Sequence, residues 1–319
     1  MAPQAAAARQ HDVGGSAQAE IRNRSRPISR IGWATAVVLL GVLSAPASSA
    51  ASVLPHAASV LPHAASQPRQ SQPLWLMKSN DQALLQRHAA ADGVTLPNFV
   101  TWVGCGGSSD PNRCHGDQLP IYTSYWPLRR LALSGWQGTA VFDIEPWLYT
   151  PRAQRRDPRK FICLAAKLQN IDPSFQVIIT PYVKPPTKKM IPEDVAAARC
   201  GATAVDIQSQ FTNGSPREFG RFIRKAVAAI RRVNQDTVIL AGLATNNPRV
   251  QLASTLATDY HEALRAGVQG FWLNAKKWGD RNKCTAAQGG PGCPQVGIKF
   301  LKDIGLIGAI TGVAAANSG

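Results

Sequence analysis

Thr139-Ala-Val-Phe-Asp-Ile-Glu-Pro146 is the stretch of sequence that decides the fold. Side chains alternate between the two faces of a β-strand, so Phe142 and Ile144 share one face while Asp143 and Glu145 share the other. One face is therefore apolar along its whole length, and the other becomes acidic toward the carboxyl end. A strand covered on both faces in an open sheet is apolar on both, so this pattern indicates a different setting.

Three other segments repeat this alternation. Thr180 and Tyr182 share a face in Ile178-Ile-Thr-Pro-Tyr182, and Trp272 and Asn274 share one in Phe271-Trp-Leu-Asn274. In Val205-Asp-Ile-Gln-Ser-Gln210 the polar face carries Asp206, Gln208 and Gln210. Four strands that become polar on one face toward their carboxyl ends are typical of a closed barrel, whose functional site lies at those strand ends.

The order of elements points to the same architecture, because short apolar runs alternate with helical patterns from residue 74 onward. Strands are predicted at 99–104, 139–146, 176–183, 204–210, 237–245 and 270–274, with weaker ones at 74–78 and 121–125. Helices are predicted at 82–92, 127–134, 157–171, 192–198, 216–234, 251–267 and 294–310. Eight strands and about 250 residues predict a single (β/α)8 barrel of the TIM type over residues 74–319.

The residues before this domain have a different character. Residues 1–50 contain an arginine-rich region, the apolar segment Ile31–Leu43 and a small-residue stretch ending at Ala50, as in a signal peptide. Residues 51–73 contain the tandem heptapeptide Ser-Val-Leu-Pro-His-Ala-Ala and are predicted to be a disordered linker. We therefore expect a secreted, extracellular protein with no membrane association after signal cleavage; an uncleaved N-terminal anchor is the alternative.

The chain has six cysteines, all in the predicted barrel, and an even number in an exported chain suggests disulfides. The short spacings favour the pairs Cys105–Cys114 and Cys284–Cys293 as staples of irregular loops, which leaves Cys163 with Cys200. Metal ligation is the competing interpretation. No C-x-x-C pair supports it, so we expect neither a metal nor any other cofactor.

The net charge of the whole chain is +16. Residues 73–319 keep 29 Lys and Arg against 17 Asp and Glu, a net charge of +12. Such a balance suits a polyanionic partner, but the basic residues are spread along the chain, with local clusters only at 152–160 and 184–189. No nucleic-acid-binding motif accompanies them, so no nucleic-acid partner is predicted.

Asp143 and Glu145 are the candidate catalytic residues. Their Cα atoms lie about 6.6 Å apart on one strand, close enough for mutual repulsion to raise the pKa of one carboxyl. A carboxyl that stays protonated near neutral pH can act as a general acid. The structural alternative is an ion pair between one of these acids and an arginine such as Arg152 in the following loop.

The segment Trp136–Glu145 resembles the fourth strand of family 18 glycoside hydrolases, the chitinases and their relatives, whose motif is D-x-x-D-x-D-x-E. Asp143 and Glu145 match its last two acids, whereas Gly138 and Val141 stand at the earlier acidic positions. Similarity to the family's sixth, seventh and last strands extends over 207–213, 239–245 and 270–274. A lone D-x-E on a strand also resembles family 25 lysozyme-type hydrolases.

The resemblance implies an N-acetylated or related polysaccharide, such as a cell-wall glycan, as substrate and partner. Glu145 would be the general acid, and Asp143 would orient the substrate's acetamide. The residues that would contact the sugar are Tyr182, Gln208, Gln210, Trp272 and Trp147, and the inward-facing Asp206 and Asn274 complete the predicted binding set. The alternatives are a carbohydrate-binding barrel without turnover, using the same mouth, and a cell-wall interaction protein.

Overall fold

The computed structural model describes residues 73–97, 99–104, 118–146, 149–182, 190–245, 247, 249–250, 252–275, 284–290 and 293–307. Within these ranges, parallel strands alternate with helices and form a closed barrel. The first strand pairs with both the second and the eighth, which closes the sheet. The predicted (β/α)8 TIM-type barrel is confirmed.

The strands are β1 (Leu74–Lys78), β2 (Val100–Gly104), β3 (Leu119–Tyr122), β4 (Gly138–Ile144), β5 (Phe175–Pro181), β6 (Ala204–Ile207), β7 (Val238–Ala244) and β8 (Gly270–Asn274). The helices are α1 (Ser79–Ala91), α2 (Tyr125–Leu133), α3 (Arg152–Arg156), α4 (Pro158–Ala166), α5 (Met190–Arg199), α6 (Pro216–Arg231), α7 (Ala253–Arg265) and α8 (Pro294–Asp303). Short 3-10 helices occupy Lys167–Asn170, Ser209–Thr212 and Ala286–Gln288. The weak strand signal at 74–78 thus corresponds to β1. The one at 121–125 overlaps β3 only at 121–122, because α2 begins at Tyr125.

Two apolar layers hold the barrel together, one on each face of the sheet. Inward-facing residues fill the interior, among them Leu76, Val141, Ile178, Leu240 and Trp272. Outward-facing residues such as Phe142 and Ile144 pack under the helices in a second, larger cluster. The alternation predicted for β4 is therefore present, and it directs Asp143 and Glu145 to the interior side.

The end of β6 and the presence of α3 differ from the sequence-based expectation. The strand predicted over 204–210 ends at Ile207, because the chain turns at Gln208 into the 3-10 helix Ser209–Thr212. Helix α3 is absent from the sequence-based prediction. Asp157 caps α4 by accepting from the Lys160 backbone N–H at 3.3 Å, whereas Ser215 precedes Pro216 at the start of α6 without a side-chain cap bond.

The predicted disulfides Cys163–Cys200 and Cys284–Cys293 are both present, with Cα atoms 5.1 and 5.4 Å apart. Cys163 follows Phe161 and Ile162 on α4, and Cys200 directly follows α5, so the first bridge joins neighbouring helices. Cys105 and Cys114 lie outside the described residues, as do residues 1–72 with the predicted signal peptide and most of the linker. No helix in the described ranges is long and apolar enough to cross a membrane.

The two bridges are expected to differ in their effect on stability. Cys163–Cys200 spans 37 residues and Cys284–Cys293 spans 9, and the longer loop restricts the unfolded chain more. Replacing both members of the longer bridge by Ala should lower the free energy of unfolding by about 4 kcal/mol, against about 2.5 kcal/mol for the shorter one. Urea unfolding of the two double variants measures this difference, and a larger loss at the shorter bridge would contradict it.

Candidate active site at the barrel mouth

The carboxyl ends of β4, β5 and β6 bring polar side chains together inside the barrel. Asp143 pairs in register with Thr180 on β5, and Ile179 pairs with Val205, so Thr180 and Asp206 are also level. Glu145 and Gln208 lie one step further toward the mouth. We call Asp143, Glu145, Thr180, Asp206, Gln208 and Gln210 the mouth cluster.

The two acids of β4 are joined by one amide. Gln208 Nε2 lies 3.2 Å from Glu145 Oε1 and 3.4 Å from Asp143 Oδ1. Thr180 Oγ1 donates to the same Asp143 oxygen at 2.9 Å. The Glu145 backbone N–H donates to Thr150 Oγ1 at 3.3 Å, which fixes the end of the strand. The two carboxyl groups are thus held side by side.

Gln208 is itself oriented by Gln210, whose Nε2 donates to Gln208 Oε1 at 2.6 Å. From the sequence, strand alternation places Gln210 on the inward face. In the structure β6 has already ended, and the 3-10 turn brings Gln210 to this position. Gly242 on β7 makes the space, because a Cβ atom there would meet Gln210 Oε1. Ser209 Oγ, donating to the Gly242 carbonyl at 2.8 Å, secures the turn against β7.

Burial changes the acid strength of side chains in the mouth cluster. It raises the pKa of Asp143 to about 6, although hydrogen bonding with Thr180, Glu145 and Gln208 and the positive charge of Lys78 all act to lower it. Tyr182 is half-buried; burial and then the negative charge of Glu145 raise its pKa. Near pH 6 Asp143 therefore keeps a proton in part of the molecules, and the Gln208 amide links it to Glu145.

A second pair of buried carboxyl groups lies behind the first. Burial, and then the charge of Asp143, raises the pKa of Asp206 to about 8. Burial raises the pKa of Asp194 on α5 well above its usual value, with the charges of Asp206 and Glu193 adding to the effect. Neither Asp194 oxygen nor Asp206 Oδ1 has a hydrogen-bond partner among the described residues. Asp206 is therefore held mainly in the neutral form at pH 7.

The remaining predicted site residues lie in different settings. Trp272 is only 6% exposed and packs in the interior layer below the mouth cluster, and Asn274 is half-buried at the end of β8. Trp147 lies outside the described residues. Arg152 is exposed and forms no ion pair with Asp143 or Glu145, so the structural alternative of an Arg152 ion pair is not realised. The binding roles of the individual residues stay predictions.

Two residues of the site are missed by sequence reasoning. Lys78 ends β1, and alternation from Leu74 and Leu76 along Leu74-Trp-Leu-Met-Lys78 would have placed it on the inward face. Gly242 carries no comparable signal, because the need for a bare backbone arises only from the approach of Gln210. Among the described residues, no group of three or more His, Cys, Asp or Glu is arranged to hold a metal ion.

No protein-family model matches the chain, and no curated protein matches it. Among solved structures, it is similar to a 2,3-dimethylmalate lyase of the PEP mutase/isocitrate lyase superfamily, at 16% identity and a TM-score of 0.38 over 72% of this chain and 67% of that one. A second crystal form of the lyase gives 17% identity and a TM-score of 0.36, over 60% of this chain and 63% of that one.

The chain is also similar to a proposed deoxyribose-phosphate aldolase from Coccidioides immitis, at 12% identity and a TM-score of 0.34 over 64% of this chain and 76% of that one. A proposed lactate oxidase from Pediococcus acidilactici matches at 12% identity and a TM-score of 0.38, over 72% of this chain and 69% of that one. At these identities and scores, the likenesses transfer no activity to this chain.

The predicted membership of glycoside hydrolase family 18 is wrong. The similar structures are barrels of the lyase, aldolase and oxidase kinds, and no family model supports the chitinase-type assignment. The physical weakness lies in β4, because Val141 stands at an acidic position of the motif and is fully buried in the barrel interior. The predictions of polysaccharide hydrolysis at Glu145 and of a carbohydrate-binding barrel are withdrawn with the assignment.

The buried carboxyl groups make stability depend on pH. Asp206 has a folded pKa of about 8 against an ordinary value of 3.8, so stability falls as pH rises between these values. Each pH unit in this range changes the free energy of unfolding by about 1.4 kcal/mol. Between pH 5 and pH 8 the free energy of unfolding of Asp206→Asn should therefore fall by roughly 4 kcal/mol less than that of the wild type. Urea unfolding at both pH values measures this. The exposed Asp236→Asn is the control, and equal slopes in all three proteins would contradict the prediction.

Proposed function

We propose that this chain is an enzyme that performs general acid–base catalysis at the barrel mouth, with Asp143 as the proton donor and Glu145 as the base. The observation that carries the proposal is the amide of Gln208, which lies within 3.4 Å of both carboxyl groups and holds them next to each other. An acid and a base that face one space can move a proton in both directions across a bound substrate.

The pKa of Asp143 and the contacts of Glu145 support this assignment of roles. A general acid works best when its pKa is close to the working pH, and the pKa of Asp143 is raised to about 6. A base must present an acceptor oxygen, and Glu145 Oε1 accepts from Gln208 Nε2 at 3.2 Å. The active sites of TIM barrels lie at the carboxyl ends of the strands. Carboxyl groups with perturbed pKa values are concentrated at such sites.

Lys78 indicates which kind of acid–base reaction the site would perform. It lies on the inward face at the end of β1, and its positive charge acts on Asp143. A cation beside an acid–base pair stabilises negative charge that develops on a substrate oxygen. The proposed reaction is therefore proton abstraction from a carbon next to a carbonyl or carboxylate group. The large side chain of Trp272 fills the space below, which favours a small substrate.

We also propose that the enzyme works outside the cytoplasm. The two disulfides are compatible with an oxidising compartment, where such bonds persist. The signal-peptide pattern of residues 1–50 supports the same location.

Hydrogen–deuterium exchange tests the proposed chemistry at the substrate carbon itself, whatever product is finally released. Incubation in D2O with a panel of small keto and hydroxy acids should replace one substrate C–H by C–D, which proton NMR detects as a lost signal. Asp143→Asn and Glu145→Gln should each slow this exchange about 100-fold or more, because each removes one partner of the proton transfer. The exchange rate should fall as pH rises through about 6, where Asp143 loses its proton.

Asp236→Asn is the matched control, an isosteric change of an exposed acid in the loop before β7, and it should exchange at the wild-type rate. Exchange that persists unchanged in both Asp143→Asn and Glu145→Gln would show that the reaction does not use this pair.

A further inference from the structure

A strongly basic surface lies next to the mouth. Helix α3 carries Arg152, Arg155 and Arg156, all exposed. We call these three residues the arginine face. Residues three and four apart on a helix are neighbours, with Cβ atoms about 5–6 Å apart, so Arg152 lies beside Arg155 and Arg156.

The backbone beneath the arginine face is held by Gln154, which is 1% exposed. Its Oε1 accepts from the Tyr125 N–H at 3.0 Å, and its Nε2 donates to Ser124 Oγ at 3.2 Å. Thr123 Oγ1 also donates to the Tyr149 carbonyl at 3.2 Å. These bonds fix the short helix α3 to the start of α2, so the arginines project from a defined position.

Acidic residues do not balance this charge. Between Glu145 and Glu193 the sequence has only two acids, Asp157 and Asp172, against nine Lys and Arg. Both of these carboxylates accept local hydrogen bonds, from the Lys160 N–H and from Ser174. No member of the arginine face forms an ion pair with a residue that the structure describes.

Some exposed arginines elsewhere in the described residues form ion pairs. Arg224 and Arg265 both contact Glu262 at 2.6 Å, and Arg159 contacts Glu193 at 3.0 Å. The positive charges of the arginine face are thus close together with no neighbouring acid to neutralise them. Their mutual repulsion lowers the stability of the fold when no partner is bound.

Two exposed aromatic side chains border the same region. Trp126 is 53% exposed and Tyr149 is 76% exposed. Tyr, Trp and Arg are the residue types enriched where proteins contact a partner, so this part of the surface has the composition of a binding region.

We propose that the arginine face binds a linear polymer whose negative charge is carried by phosphate groups. Arginine and not lysine supplies every charge of the face, and its planar fork forms paired hydrogen bonds with phosphate oxygens. The acceptor oxygens of a phosphate point in several directions, so one phosphate bridges two neighbouring guanidinium groups. A carboxylate has two coplanar oxygens and suits one fork. This binding goes beyond the proposed acid–base function and does not depend on it.

The test uses the full chain and end-labelled inorganic polyphosphate, with binding followed by fluorescence anisotropy over a range of salt concentrations. Replacing Arg152, Arg155 and Arg156 together by Gln should weaken binding about 30-fold at low salt. The slope of log affinity against log salt concentration should become shallower by about two, as expected when three phosphate contacts are lost.

The matched control replaces Arg217, Arg221 and Lys225, which are exposed on α6, by Gln. It changes the net charge by the same amount and should alter the affinity less than about threefold. Polyglutamate of equal charge should bind the wild-type chain at least about tenfold more weakly than polyphosphate.

Three outcomes would overturn the proposal. They are absence of polyphosphate binding by the wild type, equal losses in the two triple variants, and equal affinity for polyglutamate. Urea unfolding of both triple variants checks that each is folded under the conditions of the binding measurement.

Discussion

The hydrogen bonds of one side-chain amide are the interaction on which the candidate site depends. Gln208 lies within 3.4 Å of a carboxyl oxygen of both Asp143 and Glu145, while Gln210 fixes its orientation at 2.6 Å. Burial of Asp143 in the barrel disfavours its charged form and raises its pKa to about 6, which outweighs the hydrogen bonds that act to lower it. The proposed acid and base are thus two ordinary carboxyl side chains that the fold holds side by side.

Closure of the barrel makes this geometry possible and also places the remaining polar groups. Each strand has one face under the helices, which must be apolar, and one face in the interior, where side chains change from apolar to polar toward the mouth. The interior also constrains β7, where Gly242 has no side chain and so leaves room for Gln210. The raised pKa values of the buried Asp206 and Asp194 make the folded state more stable at acidic than at alkaline pH.

The architecture could be predicted because alternation in segments such as Val141-Phe-Asp-Ile-Glu145 reflects a strong constraint, the burial of Phe142 and Ile144 under helices. Of the two disulfides in the described residues, Cys284–Cys293 was predicted from its short spacing and Cys163–Cys200 as the remaining pair. The position of Gln210 could not be predicted from alternation, because β6 ends where the chain turns at Gln208. The reaction was predicted wrongly because two acids on a strand fit many chemistries, and a two-residue match to a longer motif does not distinguish among them. Lys78, on which the proposed reaction class rests, lies on β1, about 65 residues before Asp143 in the sequence.

The protonation of Asp143 is the central claim, and NMR titration of side-chain carboxyl carbons tests it most directly. With 13C-labelled aspartate and glutamate, the Asp143 signal is assigned by its absence in Asp143→Asn. We expect a titration midpoint near pH 6 for this carbon, well above the ordinary value of 3.8. A midpoint near that ordinary value would mean that the mouth leaves Asp143 ionised at neutral pH and would contradict its role as proton donor.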